Sequence, residues 1–372
     1  MALDDESFGL LQQSVQRFIQ ERLVPAENIL EDEDDVPADI VADMKEMGLF
    51  GLSIPEAHGG IGLSMAQECE VVYDLGHTAF AFRSVFGTNV GIGSQGILMD
   101  GTDAQKADYL PRIASGEALV VLAQQERKAR YRLDVCEAKA VVAPNGYALT
   151  AIKNIGSAGD QADAFIVPAQ LDGQIALFLV ERAAADVSTR GYGTQDGSRA
   201  AELALDNAPA TLLTTEGLAA LELAVDTGIA CACAYAVGVM DQTAALTFDY
   251  LNQRKQFGVP IASFQALRHR AADMKMQLEL ARSMSYYASL KLGAPAPERR
   301  RALAQAKVQL GQSMRFVGQQ SVQMHGGIGV TDEYIGSHYF KTLTQLEMTW
   351  GDTLHHLGEV SAQMQDTAGV FG

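Results

Sequence analysis

Arg254-Lys-Gln-Phe-Gly-Val-Pro-Ile-Ala-Ser-Phe-Gln265 is the stretch on which the reading of this chain turns. It follows a proline-free run from Glu216 to about Gln253, rich in Ala, Leu and Val. At ~1.5 Å per residue such a helix would be roughly 57 Å long. That is too long for an isolated helix and implies a bundle member. Gly228, Ala230, Ala232, Ala234 and Gly238 along it would let neighbouring helices approach closely. Pro260 is placed to open the next helix at its first turn. Leu292-Gly-Ala-Pro-Ala-Pro297 separates that helix from another, which runs to about His325 and ends in Gln323-Met-His-Gly-Gly-Ile-Gly329. A final helix is expected from roughly Thr344 to Met364.

Towards the N-terminus the period changes. Between residues 119 and 213, Ala140–Ala143 and Tyr147–Ile152 flank Pro144-Asn145-Gly146, and Ala164–Ala169 and Gln174–Val180 flank Asp172-Gly173. Both are hairpin signals, so a small antiparallel β domain is expected. Residues 1–118 read as helical, with Phe8, Leu11, Val15 and Phe18 at helical spacing, an interruption at Pro25, and a glycine-rich loop at Glu56-Ala-His-Gly-Gly-Ile-Gly62. Pro111-Arg-Ile-Ala-Ser-Gly-Glu117 closes that segment. The division is therefore 1–118 helical, 119–213 β and 214–372 helical bundle. This is an α+β chain with segregated elements rather than βαβ alternation. A doubly wound nucleotide-binding sheet is disfavoured, because the Gly326–Gly329 cluster follows a helix rather than a strand.

The chain has 372 residues, 48% hydrophobic and 20% charged, with a formal net charge of -18. Such a composition supports a large core, and an acidic chain repels phosphate backbones, so nucleic acid is not an expected partner. Any site for a polyanion must gather local cations or backbone N–H groups. Cys69, Cys136, Cys231 and Cys233 make no Cys-x-x-Cys pair, so buried thiols in a reducing compartment are expected and no metal site. The adjacent His355 and His356 face about 100° apart on a helix and make a poor metal pair. The acidic N-terminus has no signal-type run, and no stretch reads as a membrane span, which points to a cytoplasmic and bacterial protein.

With this order of elements, Arg-x-Gln-Phe-Gly…Gln followed about sixty residues later by Gln-x-x-Gly-Gly-x-Gly resembles the acyl-CoA dehydrogenase family over essentially the whole chain. Pro111–Glu117 and Gly146-Tyr-Ala-Leu-Thr-Ala-Ile-Lys153 add to the match. More narrowly, the chain resembles the short subunits of two-gene, heteromeric members such as the small subunit of pimeloyl-CoA dehydrogenase, through Glu126–Arg132, Gly191-Tyr-Gly-Thr-Gln-Asp-Gly197, Trp350-Gly-Asp352 and His355-His356. The resemblance implies FAD at a subunit interface in a four-chain assembly, an acyl-CoA substrate and an electron-transfer flavoprotein as acceptor. It assigns Arg254, Gln256, Phe257, Gln265, Gln323, Gly326 and Gly327 to a neighbour's FAD. Physically, Arg254 can fork onto a diphosphate and the glycines admit close backbone approach. A plain alternative is that Arg254 caps the long helix and Gly326–Gly329 is a turn. His325 either contacts the cofactor or packs.

The flavin-facing positions depart from the family. Its Thr-Glu-Pro-x-x-Gly-Ser-Asp becomes Gln125-Glu126-Arg127-Lys128-Ala129-Arg130-Tyr131-Arg132, and its Trp-Ile-Ser/Thr-Asn becomes Ile155-Gly156-Ser157-Ala158. Gln125, Ile155 and Ser157 are then the residues offered to the chain's own flavin. The cations of 127–132 either receive a CoA phosphate or substrate carboxylate, or form a solvated or salt-bridged loop. The reaction needs a positioned carboxylate to take the α-proton. The two family positions for that base fall on Trp350 and Gly228, neither of which can take a proton. Asp352 and Asp226, two residues away, are the nearby substitutes, although a capping or solvated aspartate is the plainer reading of each. Four readings follow: a heteromer whose sister chain supplies the base, a self-sufficient homomer using Asp352 or Asp226, a non-catalytic assembly subunit, and an oxidase or oxygenase on the same fold.

Overall fold

The computed structural model describes residues 3–27, 37–78 and 94–367. Helix α1 (Asp5–Phe18) starts where the Asp4 carboxylate accepts the Ser7 N–H at 2.9 Å, and it buries Phe8, Val15 and Phe18. The interruption expected at Pro25 does not occur. A π-helical turn over Ile19–Leu23 leads into Val24–Ala26, and the backbone stays right-handed helical through Leu23 and Glu27, so the π turn absorbs the N–H that Pro25 lacks. Helices α2 (Ala38–Glu46), α3 (Met65–Leu75), α4 (Ser94–Asp100) and α5 (Asp103–Ala114) follow. Thr102 and Gln105 form a reciprocal capping box at the head of α5.

Seven strands come next: β1 (Val120–Leu122), β2 (Lys139–Ala143), β3 (Gly146–Ser157), β4 (Ala164–Leu171), β5 (Gln174–Glu181), β6 (Val187–Gly193) and β7 (Arg199–Thr214). Both expected hairpins are present, β2 with β3 and β4 with β5. The second turns through Asp172 and Gly173 at φ 50° and 85°. The sheet is mostly antiparallel, but β4 pairs in parallel with β1 and, through Gln170, with β2. Those contacts close the ring β4–β2–β3–β7–β5, which removes the open edge a flat sheet would expose. Leu149, Phe165, Val167, Phe178, Val180, Leu203 and Leu205 pack together as its core.

Helix α6 (Gly217–Gln253) has 37 residues. Contrary to the sequence expectation, it is long and apolar enough by composition to cross a membrane, but 94% of the qualifying window is buried within the fold. Its hydrophobicity all round is that of a core helix. Helices α7 (Gln265–Lys291), α8 (Ala296–His325), α9 (Ile335–Met348) and α10 (Thr353–Thr367) complete the chain. Two sequence expectations change here. Pro260 pairs with Lys255 and precedes a 3-10 turn, so α7 begins only at Gln265. The final helix is two helices, because Trp350 and Gly351 adopt φ 60° and 115° between them.

By contacts the chain forms two discontinuous units. The first is Met1–Phe8, Asp34–Glu68 and Phe82–Gly228, and the second is Gly9–Glu33, Cys69–Ala81 and Ile229–Gly372. In the second unit α8 packs on α7, α9 and α10. Gly238 of α6 lies so close to Gly76 that a Cβ there would sit 2.7 Å from its Cα, so the small residue permits the approach.

Candidate functional site

The β-domain half of the site is built around one buried ion pair. Glu126 Oε1 accepts from Lys153 Nζ at 2.6 Å, and the same carboxylate accepts the N–H groups of Glu137 at 2.6 Å and Ala138 at 3.2 Å. Lys153 also donates to the Pro168 carbonyl at 2.8 Å. Burial acts to raise the Glu126 pKa, but the Lys153 charge and these donors hold it below its ordinary value. Asn154 N–H donates to the Gln125 carbonyl at 2.8 Å. The segment carrying Gln125 is thereby fixed to the end of β3.

There the β3–β7 register slips between Lys153 and Gly156, a bulge that re-aims the last residues of the strand. Ser157 is exposed and Ala158 turns away at φ 55°. The Ile155 side chain lies outside the described residues. Arg182 donates to the carbonyls of Gly159, Asp160 and Ala162, and Arg199 Nε donates to Asp160 at 2.7 Å. Two cations thus hold the turn after Ser157. Arg130, which falls on the glycine of the family motif, keeps a left-handed φ of 51°.

The helical half lies on the second unit. Arg254, Gln256, Phe257, Gln265, Gln323, Gly326 and Gly327 are all exposed. Lys255–Gln256 pairs with Val259–Pro260 around Phe257 and Gly258, at φ 54° and 81°. This hairpin presents Phe257 with 91% of its surface open. Arg254 forms no ion pair among the described residues, and only its backbone N–H continues α6, donating to Tyr250 O at 2.8 Å. A Cβ built on Gly326 or Gly327 would meet nothing within 4 Å. Open glycine backbone and an exposed guanidinium on the same unit fit the diphosphate of a dinucleotide.

His325 packs. It is 4% exposed, its ring lies 4.5 Å from that of Tyr250 and 5.0 Å from that of Tyr334, and Nδ1 donates to Ser321 O at 2.8 Å. Burial lowers its pKa, so the ring is neutral.

Of the two positions at which the resemblance places the base, Trp350 sits in the left-handed turn between α9 and α10. Its carbonyl accepts from His356 Nε2 at 3.1 Å. Lys307 Nζ, buried in α8, donates to Leu346 O at 2.8 Å and Glu347 O at 3.2 Å. Asp352 caps α10, its Oδ1 accepting the His355 N–H at 2.8 Å. Gly228 and Asp226 lie within α6, and Asp226 is 2% exposed. Asp226 belongs to the first unit and Asp352 to the second. Sequence reasoning missed Arg182, Lys307 and the role of Lys153. The one available signal was a lysine at 153 and at 307 within otherwise apolar strand and helix faces.

An acyl-CoA dehydrogenase N-terminal domain profile matches residues 5–117 and a C-terminal domain profile matches residues 215–364. An acyl-CoA dehydrogenase of Bacillus subtilis (strain 168) is 28% identical over 352 residues, covering 87% of this chain and 89% of its own length. A structure of the electron transferring flavoprotein of Acidaminococcus fermentans superposes with TM-score 0.90 and 25% identity, covering 98% of this chain and 99% of that one. A variant of the Tcur3481-Tcur3483 steroid ACAD superposes with TM-score 0.85, 25% identity and coverage of 98% and 99%. On its helical order, its β domain and both profile matches, the chain is a member of the acyl-CoA dehydrogenase family of oxidoreductases.

Proposed function

We propose that this chain is one subunit of an FAD-dependent acyl-CoA dehydrogenase, desaturating an acyl-CoA thioester between Cα and Cβ, in a heteromer whose sister chain supplies the catalytic carboxylate. The observation that carries this is the contrast between the two halves. The exposed set Arg254, Gln256, Phe257, Gln265, Gln323, Gly326 and Gly327 retains what a diphosphate needs, whereas the position the family gives its base is Trp350, whose carbonyl accepts a hydrogen bond from His356. Bound FAD would supply the hydride acceptor. Arg254 would hold the diphosphate, Gly326 and Gly327 would admit it against the backbone, and Phe257 would cover its edge. On the β domain, Gln125 and Ser157 would face the ring of the chain's own flavin.

A sister chain of the same family is the partner this reading needs, and the paired name of the Tcur3481-Tcur3483 steroid ACAD is in keeping with it. A four-chain assembly, an electron-transfer flavoprotein as acceptor and a bulky or dicarboxylic acyl group, as in pimeloyl-CoA dehydrogenase, belong to the same proposal. So does a cytoplasmic location, supported by Cys69, Cys231 and Cys233 standing buried as free thiols.

The test is the visible spectrum of the chain purified alone, scored for FAD per chain and repeated anaerobically with a panel of acyl-CoA esters. A colourless or non-bleaching chain that gains flavin and activity on co-expression with a glutamate-bearing partner is the expected outcome. A full flavin complement that bleaches with substrate would refute the heteromer and direct attention to Asp352 and Asp226.

A further inference from the structure

The densest cationic patch of this acidic chain lies on the first unit, in the turn 126–132. Glu126 and Ala129 are buried there, while Arg127, Lys128, Arg130 and Arg132 are exposed. The turn is closed by Arg130 N–H to Glu126 O and Arg132 N–H to Ala129 O, both at 3.0 Å. Lys128 is engaged with Glu137 at 2.6 Å. Arg127 and Arg190 approach one carboxylate, Glu202, at 3.7 and 3.4 Å, and their side chains stay 81% and 75% exposed. Glu202 thus brings the turn beside β6 while leaving both guanidinium groups largely open. Arg130 and Arg132 have no ion pair among the described residues. Arg130 keeps a left-handed backbone, at a cost of about 1 kcal/mol for a residue with a side chain.

The sheet register places this patch beside the end of β3. Arg190 is opposite Glu202 on β7, and the neighbouring β7 residues Ala201 and Ala200 are opposite Gly156 and Ser157. Among the described residues Arg127 and Arg190 share one carboxylate while Arg130 and Arg132 have no ion pair, which leaves an excess of positive charge there in a chain of formal net charge -18. A single carboxylate ligand accepts one bidentate fork, whereas a ligand with a phosphomonoester and a diphosphate offers several.

We propose that this patch is a receptor for the phosphate-bearing adenosine end of a CoA thioester, with Arg130 and Arg132 as its primary contacts and Arg127 and Arg190 turning from Glu202 to the same phosphates. The inference deepens the acyl-CoA reading above and rests on it. It assigns this chain a hold on the substrate through arginines of the β domain, independent of any base.

The experiment is calorimetric titration of the purified full chain with CoA, 3′-dephospho-CoA, pantethine and inorganic phosphate, at low and at moderate salt. It is repeated on Arg130→Gly and Arg132→Ala. Glycine suits the φ of residue 130, so Arg130→Gly is expected to melt no lower than the parent. Each variant is expected to bind CoA about tenfold more weakly. Removing the 3′-phosphate from the ligand should weaken the parent more than the variants, and salt should weaken CoA binding to the parent most. Equal CoA affinity in parent and both variants would overturn the proposal. So would inorganic phosphate displacing CoA at matched concentration, which would make the patch a general phosphate site. The two readings fail separately. Variants that bind CoA like the parent, in a protein whose flavin bleaches, sink the receptor alone, whereas weakened variants in a protein that never bleaches, even with a partner, sink the dehydrogenase reading alone.

Discussion

Lys153 Nζ lies 2.6 Å from Glu126 Oε1, and the two side chains are 1% and 4% exposed. A pair so placed is costly to break from one side, because the survivor is an uncompensated buried charge. Lys153→Met and Glu126→Gln are each expected to lower stability by about 3–5 kcal/mol. The double variant Glu126→Leu/Lys153→Met should cost less than the sum of the two. Urea unfolding of the three proteins checks this, and additive losses would mean that the pair is not the unit holding Gln125 to the end of β3.

Glu68 of α3 is fully buried, and neither of its carboxylate oxygens has a well-formed hydrogen bond. Burial pushes its pKa up to about 8, against a smaller opposing effect of the Ser53 hydroxyl. The folded chain therefore keeps a proton that the unfolded chain has released, so stability falls as pH rises from the ordinary carboxylate range through about 8. Glu68→Gln should remove that fall, with a gain over the parent at pH 9 on the order of 2–4 kcal/mol. Parallel pH–stability curves for the two proteins would contradict it.

His356 titrates in the opposite sense. Burial, then the Lys307 charge, depresses its pKa to about 3. Between the ordinary histidine value and that point the unfolded chain takes up a proton that the folded ring refuses. Stability contributed by the neutral ring is therefore lost as pH falls through this window. Trp350, the only tryptophan, accepts the His356 hydrogen bond through its carbonyl. Its fluorescence is expected to follow the loss at acid pH, and His356→Gln should flatten the acid limb.

Arg254 is exposed and forms no ion pair among the described residues, so Arg254→Ala should change stability by less than about 0.5 kcal/mol. If it grips a diphosphate, FAD affinity in the assembled protein should fall on the order of 10–100-fold. Equilibrium dialysis of flavin against parent and variant decides the matter, and unchanged affinity would leave Arg254 a mere helix end.

Asp352→Ala removes a helix cap and should cost about 1 kcal/mol, visible as a lower melting temperature. The rate of flavin bleaching in the assembled protein is expected to stay the same. A large fall in that rate with little change in melting would instead make Asp352 the proton acceptor and restore the self-sufficient reading.

Most of the architecture was legible because it is written in local chemistry. The absence of proline from Glu216 to Gln253 and the turn residues Asn145-Gly146 and Asp172-Gly173 act within a few positions of where they stand. The errors came where backbone geometry at one residue overrode a pattern. Gly351, held against the His355 and His356 rings, splits the last helix, and a π-helical turn carries the first helix past Pro25. Neither leaves a periodic trace.

The sequence by itself determined the order of helices and strands, and at Arg254–Gln265 and Gln323–Gly329 it carried the resemblance to the acyl-CoA dehydrogenase family, since each is a matter of residue type and spacing. Only the tertiary structure decided that β4 closes a ring through parallel contacts, that Lys153 neutralises Glu126, that Lys307 holds the last carbonyls of α9, and that Arg190 joins Arg127 at Glu202. Most of those pairings join residues far apart in sequence, and the burial that makes the Lys153–Glu126 pair a strong constraint exists only once the chain has folded.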